Sequence, residues 1–251
     1  MKVAVFADLH ANLSATRAVL ADCAARYPEA QDVITLGDLV NYGPRPNETI
    51  EALRRFTEHR RHLVALGGNH EMELFNETAA PRFSTVRGAE ALKTTAKLLT
   101  GDARDYLRDG LSFAPRTIMA GDARVLCVHA SLGDAFWGKL DADERARPEY
   151  SAYDYVLSGH THLPHLIECF YPVVRPRMGD QKMGDQKKVI FLNPGSVGQP
   201  RNHSALAHYM VLDPDTGEIH MNRVRYDIEA EIAAYPEGFD EFYRTRLRVG
   251  L

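Results

Sequence analysis

Short runs of apolar, β-branched residues recur along the chain, and each ends in a polar or glycine-rich corner. Continuous apolar runs bounded by turn signals are typical of strands buried in an α/β sheet, because both faces of such strands are covered. The pattern therefore predicts buried strands with polar residues at their ends. The six runs are VAVFADLH (3–10), VITLGD (33–38), LVALGGNH (63–70), VLCVHA (125–130), YVLSGHTH (155–162) and VIFLNPGS (189–196).

Segments with helical periodicity separate the first three runs. They are LSATRAVLADCAARY (13–27) and PNETIEALRRF (46–56), the second with Pro46 as a plausible first-turn residue. Residues 84–109 indicate one or two further helices, and two short amphipathic helices follow near the end of the chain. Strands that alternate with helices in this way predict βαβ units with parallel strands.

Two hairpins extend this pattern. Residues 116–128 read as two strands that turn at Gly121 and Asp122, and residues 205–226 read as two strands joined by the turn PDTG. These antiparallel pairs, added to the parallel units, predict mixed sheets with helices outside them.

The tandem pentapeptide MGDQK, at 178–182 and 183–187, is polar and contains glycine. Because it lies between two strand candidates, we interpret residues 176–188 as an exposed hairpin insertion produced by a local duplication. The 251-residue length suits one large α/β domain or two small ones, and we expect a single domain over 1–251.

Composition and charge indicate in which compartment the protein is expected and which partners are not. Hydrophobic residues form 45% and charged residues 25% of the chain, which is ordinary for a globular protein. The net charge of −4 gives no basic field for nonspecific nucleic-acid or anionic-membrane binding. The three cysteines are widely spaced, which favours a reducing compartment, and the apolar N-terminal run is too short for a signal sequence or membrane span. We expect a cytoplasmic protein.

The polar residues at the predicted strand ends share one kind of chemistry. Strand ends of open α/β sheets are where ligand sites form. Each residue alone could be a turn former, a helix-capping group or a satisfied core histidine. Together they would bury unpaired polar groups at five corners, which is costly unless a ligand compensates. The residues are Asp8, His10, Asn12, Asp38, Asn41, Asn69, His70, Glu71, His129, His160 and His162.

A pair of metal ions would compensate. Mixed imidazole and carboxylate donors with one amide suit Mn, Fe, Ni, Co or Zn better than Ca or Mg, and we favour manganese. Seven or so donors are too many for one tetrahedral site. Two ions about 3.5–4 Å apart that share a carboxylate would use all of them and leave positions for phosphate and water. His160 and His162 could then bind different ions.

Six motifs occur in the order DLH, GDLVNYGP, GGNHE, VHAS, GHTH and NPGSVGQPR. In this the chain resembles the calcineurin-like metallophosphoesterase superfamily, particularly its small bacterial and archaeal single-domain members, over residues 3 to about 213. The resemblance implies a four-layer α-β-β-α sandwich, in which helices flank two mixed β-sheets. It also implies a dinuclear centre at the strand ends.

The resemblance further implies a role for each site residue. It assigns Asp8, His10 and His162 to one ion, Asn69, His129 and His160 to the other, and Asp38 to both as a bridge. His70 matches the histidine that contacts the phosphoryl group and protonates the leaving oxygen. Asn12 resembles a phosphate contact or a residue that supports the ligands. Glu71 stands where aspartate is frequent, and its carboxylate could orient His70.

The implied reaction is phosphoester hydrolysis by metal-activated water. We expect phosphodiesters to be preferred, without excluding monoesters or nucleotides, because no obvious cluster of Arg and Lys lies near the motifs to neutralise a dianion; Arg201, in QPRN, lies close to a site loop. Candidates for the substrate-facing rim are the 84–109 helices and the loop HASLGDAFWGKL (129–140). Within that loop, Trp137 could equally be a packing residue.

Two alternatives remain. A non-catalytic binding or scaffold protein of the same fold would be expected to have lost metal ligands, and a nuclease would be expected to carry a basic groove with stacking aromatics. The expected partner is a small phosphoester substrate, with no strong nucleic-acid signal and no membrane. Homo-oligomerisation is left open.

Overall fold

The computed structural model describes residues 1–76, 82–83, 85–173 and 186–251. The strands in these ranges are β1 (Val3–Phe6), β2 (Asp32–Thr35), β3 (Arg61–Ala65), β4 (Arg116–Ala120), β5 (Ala123–Cys127), β6 (Tyr155–Leu157), β7 (His165–Pro172), β8 (Gln186–Asn193), β9 (Ala207–Asp213) and β10 (Glu218–Val224).

The α-helices of the same ranges are α1 (Leu13–Arg26), α2 (Pro46–Thr57), α3 (Asn69–Leu74), α4 (Val86–Leu98), α5 (Gly101–Asp109), α6 (Ala142–Arg145), α7 (Ile228–Ala233) and α8 (Glu241–Thr245). Two 3-10 helices span Pro148–Ala152 and Arg246–Arg248. Within the described residues, no helix is both long and apolar enough to span a membrane.

The strands form two mixed five-stranded sheets. The first has the order β10-β9-β1-β2-β3, in which β1, β2 and β3 are parallel and the β9–β10 hairpin is antiparallel. The second has the order β4-β5-β6-β8-β7, in which β5, β6 and β8 are parallel. Because parallel strands end at the same edge, the loops after β1, β2 and β3 lie side by side. The predicted βαβ units and both predicted hairpins are confirmed.

Apolar residues join the layers. Val5 and Ile34 of the first sheet share a buried cluster with Leu157 and Leu192 of the second, so the two sheets pack face to face. Burial of such side chains is the main stabilising term in a fold of this kind. Helices α1, α2 and α5 contribute to a second cluster that covers the outer face of the first sheet.

The outer face of the second sheet is covered differently. Leu126 and Phe191 of this sheet pack against Leu140 and Tyr150, which lie in the loop and 3-10 helix before β6. The predicted fold class, two mixed sheets with helices outside them, is confirmed.

The predicted strands were too long at their polar ends. β1 ends at Phe6 and β2 at Thr35, so Asp8 and Asp38 lie in the following loops, and Asn69 begins α3 instead of ending a strand. The predicted insertion at 176–188 lies largely outside the described residues. The strands that flank it, β7 and β8, pair antiparallel.

Candidate metal centre

The loops that carry the predicted ligands have an unusual backbone conformation. Asp8, His10, Asp38, His160 and His162 all have positive φ, between 47° and 64°. For residues other than glycine this left-handed conformation costs about 1–2 kcal/mol each. Such strain persists where surrounding structure enforces it, and it clusters at functional sites. Here, hydrogen bonds between the loops, such as Asp8 N–H to the Gly37 carbonyl at 3.0 Å, hold the conformation.

Two glycines let these loops approach each other. A Cβ on Gly37, whose φ is +98°, would lie 2.6 Å from the Gly68 nitrogen and 2.7 Å from His129 Nδ1. A Cβ on Gly68 would lie 2.1 Å from Asp38 Oδ1. Any larger residue at either position would therefore push the surrounding side chains apart.

One cluster of buried donors forms where the loops after β1, β2 and β6 meet. Its ligand atoms all lie within 4.8 Å of one another, and its members are Asp8, His10, Asp38 and His162. His10 Nδ1 donates to the Val40 carbonyl at 3.1 Å, and His162 Nδ1 donates to the Gln199 carbonyl at 2.6 Å. The opposite nitrogens of these rings, both Nε2, lie 3.0 Å apart.

That arrangement identifies which atoms are free to bind a cation. A carbonyl can only accept, so each Nδ1 carries the proton of its neutral ring and each Nε2 carries a lone pair. Two lone pairs that face each other at 3.0 Å repel unless a cation lies beside them. The imidazoles of His10 and His162 are thus held as metal ligands usually are, with the far nitrogen fixed by a carbonyl.

A second cluster lies beside the first and shares Asp38 with it. Asp38, His129 and His160 bring their ligand atoms within 4.8 Å of one another. The Asn69 Oδ1 lies 3.0 Å from both His129 Nε2 and His160 Nδ1. His129 Nδ1 donates to the Leu36 carbonyl at 2.6 Å, which directs its other nitrogen toward the cluster.

The two carboxylates also have the geometry of ligands. Asp8 Oδ1 accepts from the His160 amide at 3.0 Å, whereas Asp8 Oδ2 is buried without a hydrogen-bond partner. Asp38 Oδ2 lies 3.7 Å from His10 Nε2 and 3.4 Å from His129 Nε2, so it faces both clusters. A buried carboxylate oxygen without a partner is expensive, and a cation would satisfy it. The donor set thus fits metal binding, and Asp38 lies where a shared ligand would.

The ionisation of these groups follows from burial and mutual charge. Burial lowers the pKa of His10 and His162 well below the usual value and that of His160 to about 3, so these rings are neutral at neutral pH. Burial raises the pKa of Asp8 to about 8. Burial alone would lower the pKa of His129, but the Asp38 carboxylate raises it to about 9.

His70 is buried beside the Asp38 carboxylate and is oriented by Asn41. The Asn41 side-chain oxygen accepts from the Tyr42 amide at 2.8 Å, which fixes the Asn41 amide group so that its nitrogen faces His70. That nitrogen donates to His70 Nδ1 at 2.7 Å. The ring proton is therefore on Nε2, which lies 3.7 Å from Asp38 Oδ2. Burial lowers the pKa of His70 to about 4, so the ring is neutral.

Comparison with known proteins identifies the family of this chain. The profile of the calcineurin-like phosphoesterase superfamily domain matches residues 1–217. The chain belongs to this superfamily. Uncharacterized protein MJ0912 of Methanocaldococcus jannaschii is 30% identical over 228 residues, which cover 90% of this chain and 88% of that protein. The symmetrical bis(5'-nucleosyl)-tetraphosphatase of Paracidovorax citrulli is 29% identical over 168 residues, or 66% of this chain and 55% of that enzyme.

Two solved structures share the fold over nearly the whole chain. A metallophosphoesterase from Sphaerobacter thermophilus superposes with a TM-score of 0.74 at 29% identity, covering 100% of this chain and 99% of that one. Hypothetical protein PH1004 from Pyrococcus horikoshii gives 0.73 at 22% identity, covering 100% and 98%. Two mixed sheets with helices outside them are therefore the architecture of this superfamily member and its relatives.

The contacts of Glu71 differ from those predicted. Glu71 does not orient His70: its oxygens accept from the backbone amides of Asp38, Val40 and Gly68 at 2.8–3.0 Å, so it fixes the loop after β2. Asn41 orients His70 instead. Asn41 was among the polar residues at the predicted strand ends, but its contact with His70 joins two different loops and could not be predicted from the sequence.

The side chain of Asn12 contacts backbone groups of the surrounding loops. Its side-chain oxygen accepts from the Ala15 amide at 3.0 Å as the N-cap of α1, and its nitrogen donates to the Gly198 carbonyl at 2.9 Å. The same nitrogen also donates to the Tyr226 hydroxyl at 3.3 Å, so both of its N–H groups are used. Asn12 therefore ties two loops of the centre together, which agrees with the supporting alternative.

The predicted rim residue Trp137 does reach the centre. Its ring centroid lies 6.1 Å from that of His160 and 5.6 Å from that of Phe83, and Phe83 lies 4.9 Å from the His70 ring. The loop after β5 thus brings an aromatic side chain to the edge of the second cluster. Whether Trp137 contacts substrate stays a prediction.

Proposed function

We propose that the chain hydrolyses phosphoester bonds, with phosphodiesters favoured, through two divalent first-row metal ions, of which manganese is favoured. The observation that carries this proposal is the pair of buried donor clusters that share Asp38. Asp8, His10 and His162 would hold one ion and Asn69, His129 and His160 the other, with Asp38 between them.

The bound ions would supply an activated water and neutralise charge on the phosphoryl oxygens. The chain itself orients the leaving group. His70 is neutral with its proton on Nε2, and Asn41 holds that tautomer by donating to Nδ1. His70 would donate a hydrogen bond from Nε2–H to the leaving oxygen and so stabilise the charge that develops there.

The relatives support an enzyme more than a scaffold. Membership of the superfamily makes phosphoester chemistry the expected activity, and the Paracidovorax citrulli relative is named for a dinucleoside tetraphosphate substrate. A scaffold has no need of buried imidazoles whose lone pairs face each other. A nucleotide is accordingly among the substrates that we propose to test.

The test is a substrate screen with purified, manganese-loaded protein. Bis(p-nitrophenyl) phosphate, p-nitrophenyl phosphate and a nucleotide panel serve as substrates. We expect turnover that a chelator abolishes and that Asp38→Asn largely removes. His220→Gln, at a half-buried histidine of β10, should leave turnover unchanged. Turnover that persists after chelation and in Asp38→Asn would rule out the proposed centre as its source. No turnover despite two bound metals would favour the scaffold alternative.

A further inference from the structure

The C-terminal segment beyond the family profile packs against the metal centre. Tyr243 of α8 stacks on Tyr42, with ring centroids 4.6 Å apart and an interplanar angle of 18°. The Tyr42 ring in turn lies 4.6 Å from the His70 ring and 4.7 Å from the His10 ring. Because the profile ends at residue 217, this wall of the site is built by a part of the chain that the profile does not describe.

The same segment buries an arginine beside this wall. Arg246 is only 8% exposed, and its Nε has no hydrogen-bond partner. The charged group lies 5.0 Å from the centroid of the Phe242 ring. Tyr42, Tyr235 and Tyr243 are close enough to act on it electrostatically. Across the part of the chain that the structure describes, no carboxylate pairs with Arg246.

A second arginine lies next to Arg246. Arg201, in the loop NPGSVGQPR, is close enough to act electrostatically on Tyr42, on Arg246 and on Asp8. Its loop is fixed to the C-terminal segment, because the His203 amide donates to the Gly250 carbonyl at 2.8 Å. Arg201 likewise forms no ion pair with any described residue, so the two cations face the same region without an acidic partner.

Such an arrangement is unfavourable without a ligand. Burial and the Arg201 charge lower the pKa of Arg246 to about 10, which reflects the cost of a desolvated cation beside a like charge. Buried charges are normally paired, and guanidinium groups bind phosphate through two parallel hydrogen bonds. An anion between Arg201 and Arg246 would satisfy both groups.

We propose that Arg201 and Arg246 form a subsite for a second phosphate group of the substrate, next to the phosphate held at the metal centre. The part played by the metal centre rests on the proposed function. The substrate class is then a molecule with two neighbouring phosphates, such as a nucleoside polyphosphate. From the sequence, Arg201 was the only basic residue assigned to the site; the fold adds Arg246 from 45 residues further along the chain.

Competitive inhibition measures this subsite directly. Methylphosphonate and methylenediphosphonate differ by one phosphonate group and are not hydrolysed. Inhibition constants are measured for the manganese-loaded full chain, with metal in excess, against bis(p-nitrophenyl) phosphate. We expect the diphosphonate to bind more tightly, and Arg201→Gln and Arg246→Gln each to weaken it by about 10- to 100-fold, the usual value of a charge-assisted hydrogen bond. Methylphosphonate binding should change little.

Arg248→Gln is the matched control, because Arg248 lies on the same 3-10 helix but is exposed and paired with Glu229. It should bind both probes as the wild type does. Circular dichroism checks folding, and Arg201→Gln keeps the test decisive if Arg246→Gln unfolds, since Arg201 is only partly buried. Equal loss of both probes, or no difference from Arg248→Gln, would overturn the subsite.

Metal analysis separates this proposal from the proposed function. If the chain binds no metal, the proposed function fails, and the subsite is tested on the metal-free chain by thermal unfolding with methylenediphosphonate. A rise in the unfolding temperature on addition of methylenediphosphonate, here called protection, that is lost in Arg201→Gln and Arg246→Gln but kept in Arg248→Gln would support the subsite. Protection that is equal in all variants, or absent in all, would contradict it.

Discussion

Gly68 offers the sharpest steric test of the centre. Its φ of −97° is open to any residue, so Gly68→Ala introduces no backbone strain and acts through the added Cβ alone. That Cβ would lie 2.1 Å from Asp38 Oδ1 and 2.7 Å from the Asp38 backbone nitrogen. Ordinary contact begins at 3.4 Å, so the carboxylate oxygen must move by 3.4 − 2.1, or 1.3 Å.

A shift of that size is large for a metal ligand. Ligand distances vary by only about 0.2 Å in good sites, so a carboxylate displaced by 1.3 Å no longer binds both ions. Rotation of the Asp38 side chain does not relieve the clash, because its backbone nitrogen is also too close. Overpacking of this kind typically costs about 1–3 kcal/mol of stability. We therefore expect Gly68→Ala to weaken both metal sites and to lower the free energy of unfolding.

Gly101→Ala is the matched control. Gly101 lies in α5, and a Cβ there would meet nothing within 4 Å, so this change should stabilise the chain by about 0.4–1 kcal/mol. Isothermal titration with manganese and urea unfolding of the metal-free proteins measure the two effects. If Gly68→Ala bound two manganese ions with wild-type affinity, this would refute the claim that a Cβ at position 68 displaces the Asp38 carboxylate from both metal sites.

Three further results are expected. Asp38→Asn should weaken both metal sites because it removes charge from the shared ligand, whereas His10→Ala should chiefly weaken one; equal, mild effects in titration would contradict the bridge. His70→Ala should keep both metals and lose far more kcat on alkyl than on nitrophenyl esters, because a developing alkoxide depends far more on the hydrogen bond from His70 Nε2; a uniform rise in KM would make His70 a phosphate clamp. Burial lowers the pKa of His62 to about 4 against about 6.5 unfolded, so the wild type should lose stability as pH falls from 6.5 to 4. His62→Gln should flatten that slope, and an unchanged slope in urea unfolding would refute it.

Much of the fold could be predicted from the chain because the determining signals are local. Apolar runs bounded by glycine and polar corners gave β1, β2, β3, β5, β6 and β8, and parallel order then brought the corners to one edge. The candidate metal ligands could be predicted for the same reason, because each of them follows a strand within a few residues.

The remaining features depend on contacts between distant segments. Contacts with neighbouring loops hold Asp8 and Asp38 at positive φ. For this reason β1 and β2 end before these residues, earlier than the apolar pattern indicated. Glu71 looked like a partner for His70 because it is adjacent in sequence, but the helix turns its side chain toward the loop after β2. Arg246 has no motif around it, and the packing of the C-terminal segment, including Tyr243 on Tyr42, brings it to the site.

The most direct test of the account is the number and position of bound metal ions. The chain is purified without chelator, saturated with manganese and dialysed; its metal content is then measured by elemental analysis, and a crystal of the same sample is examined by anomalous diffraction. We predict two ions per chain about 3.5–4 Å apart, both in contact with the Asp38 carboxylate. A single ion at saturation, or two ions that do not share Asp38, would contradict the dinuclear centre.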